Sequence, residues 1–406
     1  MFILANNEWW LRLPFLFAKI TTSRKSILAL LYSKGAFYMK KQKIRVGTLF
    51  SWIGAPEHAL DRLWIEHEIV FACDIDKYCK QTFFANHDIT EDSWYDDVHS
   101  LDAKKYRGKL DLLVGWSPCQ SFSMVWKRKW LEDLRWNLVF EFIRIVKEAQ
   151  PEIFIFENVK WMLSHNKWKT WEDTIFPAFQ KLEYSLSYQV LNGKDYWIPQ
   201  NRERVYLIGL KNTKKVFTFP KPIPLEVTMQ DLLEDNPDSK YFLPPKWITF
   251  VSDEKNLKKR YTQINWDIAV CQKANQQFNW HGDFVSQKPR DSVDEKYFLS
   301  DKVKDYVLST WTKEFYSRPK TDLEVARPLL SSMAKMHRAG VDNYITRWEK
   351  LRKLTPRECL RLMGFSDSFK IVVSDTQAYK QAGNSMIVNV LMNVFTSLNI
   401  QDLWQK

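Results

Sequence analysis

The chain has 406 residues, of which 45% are hydrophobic and 27% are charged. This balance excludes an intrinsically disordered protein, a collagen-like protein and a disulfide scaffold, and the length predicts two or three globular domains. The formal net charge of +12 at pH 7 favours a polyanionic partner, although many basic proteins bind no nucleic acid.

The cysteines and the apolar segments argue against further classes of protein. The five cysteines form no Cys-x-x-Cys pair and are odd in number, which predicts neither a disulfide framework nor a cysteine-rich metal site and favours a reducing compartment. No apolar run reaches the roughly 18 residues that a membrane span needs. The N-terminal stretch 9–20, for example, contains Arg12 and Lys19. We therefore expect a cytoplasmic protein with no metal and no membrane segment.

The N-terminal region predicts an extension ahead of the first domain. Residues 1–38 show no clean hydrophobic period and carry few acidic residues. Met39 is followed directly by KKQKIRVGTLF, which is typical of the start of a soluble domain. Our hypothesis is that Met39 is the initiator and that residues 1–38 are an extension.

Between residues 39 and 211, short apolar runs alternate with amphipathic segments. The runs IRVGTLF, HEIVFACD, LDLLVGW, EIFIFEN and RVYLIGL predict buried strands, and helical spacing occurs over Pro56–Trp64, Lys77–Asn86 and Leu138–Ala149. Because the strands are continuously apolar, we expect a sheet covered on both faces. The alternation of strand and helix predicts an α/β fold with a doubly wound, Rossmann-like sheet.

A second, smaller domain is predicted over residues 212–345. It contains the proline-rich connections FTFPKPIPLE and YFLPPKW and lacks a sustained period, which indicates an irregular surface rich in loops. Helical spacing returns in residues 346–406, within TPRECLRLMGF and GNSMIVNVLMNVFTSL. We expect the apolar residues between Met386 and Phe395 to pack back on the first domain.

Candidate catalytic residues lie at the ends of three predicted strands. Cys119 follows LDLLVGW and Glu157 ends EIFIFEN, so both are expected at the edge of the sheet where ligands bind. A thiolate beside a carboxyl group suits attack on an electron-poor ring, although a lone cysteine is more often a buried hydrophobe and a glutamate there is more often a cap or surface residue. Arg202 and Arg204 share one face of an extended segment and either bind a phosphate or base carbonyl or merely solvate an edge.

A candidate nucleotide-binding turn follows the first strand. The segment VGTLFSWIGAPEHAL combines a strand, a turn around Gly54 and a helix start at Pro56, a layout that presents backbone N–H groups to a ligand. Asp74 and Asp76 end the next strand, where an acid that binds ribose hydroxyls would lie. One glycine in this turn is weak evidence by itself, since complete fingerprints contain three.

Nine segments, taken in order, resemble the cytosine-5 DNA methyltransferase family. They are LFSWIGA, ACDID, YDDV, GWSPCQSFS, LEDLR, FENV, PQNRERVYLIG, RKLTPRECLRLMGF and AGNSMIV. The resemblance extends from about Arg45 to Leu398, and the combination of PCQ, ENV and QNRER makes it very specific.

The resemblance implies roles for individual residues. Cys119 matches the family's nucleophile, and Glu157 matches the acid that hydrogen-bonds ring nitrogen 3 of cytosine. Arg202 and Arg204 match the arginines near the flipped base and its phosphate. The implied cofactor is S-adenosyl-L-methionine, and the positions that match its binding residues are Phe50, Ser51, Ile53, Gly54, Asp74, Ile75, Asp97, Val98, Asn384 and Ser385. Asp97 would accept from the adenine amino group, and Ile75 would lie against the adenine face.

The resemblance also implies a reaction and a partner. The Cys119 thiolate would add to carbon 6 of a cytosine flipped out of double-stranded DNA, and carbon 5 would then take the methyl group. Residues 212–325 match the family's variable target-recognition region, and the basic stretch Arg327–Arg361 is expected to contact phosphates. We expect a monomer, either in a restriction-modification system whose endonuclease acts separately or as an orphan or phage enzyme. A tRNA cytosine-5 methyltransferase is the alternative, which the long variable region argues against.

The chain departs from the family at positions that are normally glycine. Seven of them carry tryptophan, namely Trp52, Trp116, Trp126, Trp130, Trp136, Trp161 and Trp197. The 19 tryptophans and 11 glycines together make about 7% of the chain, the usual share of glycine alone. Our hypothesis is that the gene uses UGA as a glycine codon and was translated with a code that reads UGA as tryptophan. These residues would then be glycine in the living protein. If the tryptophans are genuine, a catalytically dead DNA-binding relative becomes the leading interpretation.

Overall fold

The structure is a computed structural model that describes residues 43–117, 137–235 and 350–400, together with shorter stretches between residues 237 and 347. The predicted extension 1–38 and the segment around Cys119 lie outside the described residues. Two larger sheets and a two-stranded hairpin occupy the described part of the chain.

The first sheet contains β1 (Ile44–Leu49), β2 (His67–Cys73), β3 (Trp94–Tyr95), β4 (Leu112–Trp116), β5 (Ile153–Val159), β6 (Ser185–Asn192) and β7 (Glu203–Leu210). The strand order is β3-β2-β1-β4-β5-β7-β6, in which β7 is antiparallel to both of its neighbours and the pairs among β1 to β5 are parallel. The five strands predicted from apolar runs are confirmed. β3 and β6 were not predicted, because β3 has two residues and β6 mixes buried and exposed side chains.

Successive residues of the central strands pack on opposite faces of this sheet. Val114 and Ile155 belong to one buried cluster, whereas Leu113 and Phe154, their neighbours in sequence, belong to another. Both faces are therefore covered, which confirms the prediction made from the continuously apolar strands. The doubly wound α/β fold is likewise confirmed.

The helices in the described residues are α1 (Ala55–Arg62), α2 (Lys77–Asn86), α3 (Asn137–Ala149), α4 (Trp161–Ser164), α5 (Phe176–Gln180), α6 (Glu254–Lys258), α7 (Pro356–Arg361), α8 (Asp375–Asn384) and α9 (Val388–Ser397). The three helices predicted in the first domain are confirmed. α9 is buried along most of its length and shares a core cluster with β1. Within the described ranges, no helix has the length and apolar character to cross a membrane.

Short strands build the second sheet. β8 (Thr262–Ile264), β9 (Trp280–Ser286), β12 (Lys320–Thr321), β13 (Ala339–Arg347) and β14 (Lys350–Lys353) are arranged in the order β12-β8-β9-β13-β14, and β10 (Trp311–Thr312) pairs with β11 (Phe315–Tyr316). The sheet ends at Lys353, past the residue 345 at which we expected the second domain to end. Strands of two to nine residues explain why the sequence shows no sustained period here.

The topology of the first sheet creates a crevice at its carboxyl edge. β1 lies between β2 and β4. The chain therefore continues from β1 to β2 on one side of β1, and from β4 to β5 on the other side. In open α/β sheets such a switch point is where ligands bind. The turn from Phe50 to Gly54 follows β1, and Ser117 follows β4. The predicted cofactor turn therefore lies beside the start of the segment that leads to Cys119.

A buried carboxyl group fixes the turn between β1 and α1. Glu57 lies in the first turn of α1 and has no exposed surface. Its Oε1 is 2.8 Å from the hydroxyl oxygen of Thr48, which is also 2.8 Å from Oγ of Ser51. Ser51 Oγ accepts the N–H group of Cys73 and so joins the turn to β2. Burial raises the pKa of Glu57 to about 7, against the opposing effect of its hydrogen bonds.

Two phenylalanines of α3 provide a matched test of the core. Phe142 has no exposed surface and its ring centroid lies 5.0 Å from that of Phe156, whereas Phe140 is 39% exposed. We expect Phe142→Ala to lower the free energy of unfolding by about 3–5 kcal/mol. Phe140→Ala should change it by about 0.5 kcal/mol or less. Urea titrations measure both values, and equal losses would contradict the placement of Phe142 in the core.

Glu57 predicts a pH-dependent contribution to stability. Because folding raises its pKa from an ordinary 4.5 to about 7, the contribution is complete below the unfolded pKa and is lost as the pH rises through the folded one. Relative to Glu57→Gln, the parent protein should lose up to about 3 kcal/mol of unfolding free energy across this window. Urea titrations of both proteins measure the difference, in which the titrations of other buried groups cancel. A difference that is independent of pH would contradict the assignment.

Candidate active site and cofactor cleft

The predicted cofactor turn is a loop of left-handed backbone. Phe50 and Trp52 each have a φ of 54°, and Gly54 has a φ of 80°. A Cβ atom at Gly54 would also lie 2.1 Å from Nε2 of His87, which leaves no room for a side chain. Ile53 is fully buried, and its carbonyl oxygen is 3.3 Å from the same ring nitrogen. The loop is therefore held against the end of α2 by packing that requires glycine at position 54.

Asp74 holds this loop from the end of β2. Its carboxylate oxygens accept the N–H groups of Trp52 at 3.0 Å and Asp76 at 2.9 Å. Burial raises the pKa of Asp74 to about 6, although both hydrogen bonds oppose the shift. Asp76 accepts the N–H group of Tyr78 at the start of α2 and pairs with the Lys380 ammonium group. The predicted ribose-binding acid thus lies at the crevice and is fixed by the cofactor turn itself.

Ile75, Asp97 and Val98 lie at the ends of two neighbouring strands, β2 and β3. Ile75 is 86% exposed although it follows a buried strand. The Asp97 carboxylate accepts the backbone N–H of His99 at 3.0 Å and lies 2.8 Å from its Nδ1, and these contacts hold the pKa of Asp97 below its ordinary value. Val98 is buried beneath them. An exposed apolar side chain can cover a flat ring, and an ionised acceptor can bind an amino substituent of that ring.

Arg202 connects β7 to the C-terminal segment. Its guanidinium group donates to the carbonyl oxygens of Gly383 at 3.0 Å and Ser385 at 2.9 Å, one on each side of Asn384. Arg202 is 4% exposed. The structure therefore places this arginine against the backbone that carries two of the predicted cofactor residues, Asn384 and Ser385.

Glu157 is the buried acid of the site. It lies on β5 with 4% of its surface exposed, and its Oε1 is 3.4 Å from Nε of Arg204 on β7. Burial raises the pKa of Glu157, whereas the charges of Arg204 and Arg202 lower it. Burial of this kind favours the protonated form of a carboxyl group, which can donate a hydrogen bond or a proton. The structure thus brings two of the predicted catalytic residues, Glu157 and Arg204, into contact.

Asn158 is a residue that sequence reasoning missed. Its side-chain amide donates to the carbonyl oxygen of Ser117 at 3.1 Å and to its hydroxyl oxygen at 2.9 Å. Ser117 is the last described residue before Cys119. Asn158 therefore fixes the start of the segment that carries the predicted nucleophile. The signal was present in the segment ENV, in which Asn158 follows Glu157 directly.

The predicted nucleophile Cys119 lies outside the described residues, two positions after Ser117. Cys73, Cys79 and Cys359 are buried. Burial raises the pKa of Cys73 and of Cys79, which disfavours the reactive thiolate at both positions. In the described part of the chain, no group of three or more histidine, cysteine, aspartate or glutamate side chains could hold a metal ion.

Two tryptophans at predicted glycine positions lie at the switch point of the first sheet. The Trp52 indole donates its Nε1–H group to the carbonyl oxygen of Gln381 at 2.7 Å and so crosses from the cofactor turn to α8. Its ring centroid lies 6.1 Å from that of Trp116 at the end of β4. Trp52 is 8% exposed. These indoles occupy the switch point between β1 and β4, so the chain with tryptophan there does not fit S-adenosylmethionine.

Trp197 shows a related conflict. It has a φ of 65° and is 6% exposed, directly after the turn Gly193–Tyr196. Left-handed backbone costs a residue other than glycine about 1–2 kcal/mol.

Trp161 begins α4 and is 45% exposed. The other three predicted substitutions, Trp126, Trp130 and Trp136, lie outside the described residues.

Known proteins share this sequence pattern over most of their length. Residues 44–399 match the family model for C-5 cytosine-specific DNA methylases. The orphan methyltransferase M.SPRI of Bacillus phage SPR is 29% identical over 435 residues, covering 88% of this chain and 97% of the relative. The type II methyltransferase M.HhaI of Haemophilus parahaemolyticus is 30% identical over 364 residues, covering 88% of this chain and 96% of the relative.

Solved structures share the fold. The S. pombe Dnmt2 methyltransferase has a TM-score of 0.60 and 20% sequence identity, and the match covers 89% of this chain and 99% of that one. A DNA modification methyltransferase encoded within an E. coli prophage has a TM-score of 0.56 and 20% identity, covering 88% of this chain and 99% of that one. These likenesses establish the Rossmann-like methyltransferase fold. With a family model that matches residues 44–399, the chain belongs to the C-5 cytosine-specific DNA methylase family.

Proposed function

We propose that this protein is a DNA (cytosine-5) methyltransferase that uses S-adenosylmethionine. The observation that carries the proposal is the buried Glu157 carboxyl group, which has a raised pKa and lies 3.4 Å from Arg204. Glu157 pairs with Trp116 across β4 and β5, and β4 leads directly toward Cys119. The relatives M.SPRI and M.HhaI are both methyltransferases, which supports the same reaction class.

Cys119 and Glu157 would activate the target base. Carbon 5 of cytosine is too weak a nucleophile to take a methyl group, so the Cys119 thiolate forms a bond to carbon 6 and the displaced electron pair moves into the ring. A proton held by Glu157 at ring nitrogen 3 neutralises the charge that develops there. The raised pKa of Glu157 supports this role, because burial favours the proton-bearing form of the carboxyl group. Carbon 5 thereby becomes an enamine-like nucleophile, and its proton leaves when the thiol is expelled.

The cofactor would bind in the crevice at the end of β1. S-adenosylmethionine supplies an electrophilic methyl group when bound. Asp74 would hold the ribose hydroxyls, Ile75 would cover the adenine face, and Asp97 would accept from the adenine amino group. This placement requires the chain to have glycine at positions 52 and 116, because the indoles described above fill the same space.

Double-stranded DNA is the proposed substrate. The target base must leave the helix, since neither carbon 5 nor carbon 6 is accessible in a stacked duplex. The stretch Arg327–Arg361 contains nine basic and three acidic residues, which favours phosphate contacts there. Residues 212–325 would read base edges. We propose a cytoplasmic monomer, either an orphan enzyme or one half of a restriction-modification system whose endonuclease acts separately.

The covalent step predicts that Cys119 can be trapped. In a duplex with 5-fluorocytosine at the target, fluorine replaces the proton that must leave carbon 5 before the thiol is expelled, so the adduct should persist on a denaturing gel when cofactor is present. We expect the adduct from the chain with glycine at the seven motif positions and none from its Cys119→Ser variant. The control Cys79→Ala removes a buried thiol and should keep the adduct. Absence of an adduct from the chain with glycine at the seven motif positions would refute the mechanism.

The role of Glu157 predicts a large difference in kcat between two variants in which a glutamate is replaced by glutamine. Glu157→Gln should lower kcat on the order of 10²- to 10⁴-fold, because the amide cannot exchange a proton with the base. Glu203→Gln is the matched control, since Glu203 is an exposed residue of β7 that pairs with Lys160 at 3.0 Å. Transfer of labelled methyl groups to duplex DNA measures both. Equal losses in the two variants would argue against a catalytic role for Glu157.

The proposal also predicts the class of nucleic acid. In parallel assays with duplex DNA and tRNA, methyl transfer should occur to DNA. Transfer to tRNA without transfer to DNA would replace the proposed substrate with the alternative one.

A further inference from the structure

We infer that Trp64 and Trp168, which lie outside the motifs, are also glycine in the living protein, whereas Trp94 and Trp171 are true tryptophans. The inference follows from backbone conformation and packing. It therefore goes beyond the proposed function and does not depend on it.

Tryptophan is over-represented at left-handed backbone in the described residues, where it accounts for four of the eleven non-glycine residues with a positive φ. Residues 43–117 and 137–235 contain eight tryptophans, at positions 52, 64, 94, 116, 161, 168, 171 and 197. Four of them have a positive φ between 54° and 75°, namely Trp52, Trp64, Trp168 and Trp197. In the described residues three glycines also have a positive φ, between 75° and 85°, namely Gly54, Gly108 and Gly364. A bulky side chain rarely adopts this conformation, so its repeated occurrence at one residue type needs a specific cause.

Trp64 occupies the glycine position of a motif that ends a helix. After α1, the N–H group of Trp64 donates to the Asp61 carbonyl oxygen at 3.0 Å, and the N–H group of Ile65 donates to the Leu60 carbonyl oxygen at 3.0 Å. Leu60 and Ile65 are both buried in the same cluster. This pair of bonds with its apolar contact is the Schellman motif, in which the left-handed residue is usually glycine.

The end of α7 provides a comparison within the same molecule. There the N–H group of Gly364 donates to the Arg361 carbonyl oxygen at 2.9 Å, and that of Phe365 donates to the Leu360 carbonyl oxygen at 3.0 Å. Gly364 has a φ of 85°. The same turn is thus closed by glycine after α7 and by tryptophan after α1. The Trp64 side chain is 88% exposed, so little packing of the indole offsets the strained backbone.

Trp168 occupies a second glycine-like position, at the start of a helical segment. Its carbonyl oxygen accepts the N–H group of Glu172 at 3.0 Å, as the carbonyl oxygen of Gly54 accepts the N–H group of His58 at 2.9 Å at the start of α1. The φ values are 75° for Trp168 and 80° for Gly54. Trp168 is 51% exposed. Its conformation therefore matches that of a glycine with the same hydrogen-bonding role.

Trp94 and Trp171 differ from Trp64 and Trp168 in burial, packing and backbone conformation. Trp94 is 6% exposed, donates its indole N–H group to Asp96 at 2.9 Å and lies 5.3 Å from the Phe83 ring. Trp171 is 2% exposed and its ring lies 5.0 Å from that of Tyr188. Neither has a positive φ. Glycine at either position would leave a large cavity in an aromatic cluster.

Peptide mass spectrometry of the protein purified from its native host reads these positions directly. We expect glycine at 64 and 168 and tryptophan at 94 and 171. Tryptophan at 64 or 168, or glycine at 94 or 171, would overturn the inference. The measurement involves no methyl transfer, so its failure is distinguishable from a failure of the proposed function.

Recombinant variants test the same inference through stability. Trp64→Gly and Trp168→Gly should raise the urea midpoint of unfolding, because each relieves strained backbone and removes an indole with little packing. The matched variants Trp94→Gly and Trp171→Gly should lower the midpoint. A lowered midpoint for Trp64→Gly or Trp168→Gly would contradict the inference.

Discussion

The left-handed backbone of the turn after β1 is the constraint on which the cofactor cleft depends. The turn leaves a buried strand at the switch point of the sheet and must reach the start of α1 within a few residues, which it does through positive φ values at Phe50, Trp52 and Gly54. Asp74 and the buried Glu57 hold it from two sides. A turn under these constraints has room for glycine at position 54 and none for a side chain.

Polar contacts connect the rest of the site to this edge of the sheet. Arg202 holds the backbone around Asn384, although it precedes its two partners in the sequence by 181 and 183 residues. Asn158 fixes Ser117 in a similar way across β4 and β5, through the Ser117 carbonyl oxygen. Segments that are distant in the sequence are therefore positioned by side chains that donate to backbone carbonyl groups. Precise placement of this kind is what catalytic groups require.

Much of the fold could be predicted from the sequence, because long apolar strands and amphipathic helices leave a periodic signal. β6 and α8 left none: β6 mixes buried and exposed residues, and the apolar residues of α8 are two alanines and a tyrosine. In the site, the resemblance implied that Glu157 and Arg204 both lie near the target base, and the structure brings their side chains within 3.4 Å of each other. The contacts of Arg202 could not be predicted, because its partners are carbonyl groups, which every residue carries. The seven substituted motif positions were found from the family pattern, whereas Trp64 and Trp168 required backbone angles.

Sequencing of 5-methylcytosine in the DNA of a host that expresses the glycine form of this chain tests the central claim most directly. The account predicts methylation of cytosine in one short, recurring sequence, and no methylation in a host that expresses the Cys119→Ser variant at the same level. A folded glycine form that leaves the DNA of its host without 5-methylcytosine would contradict the account.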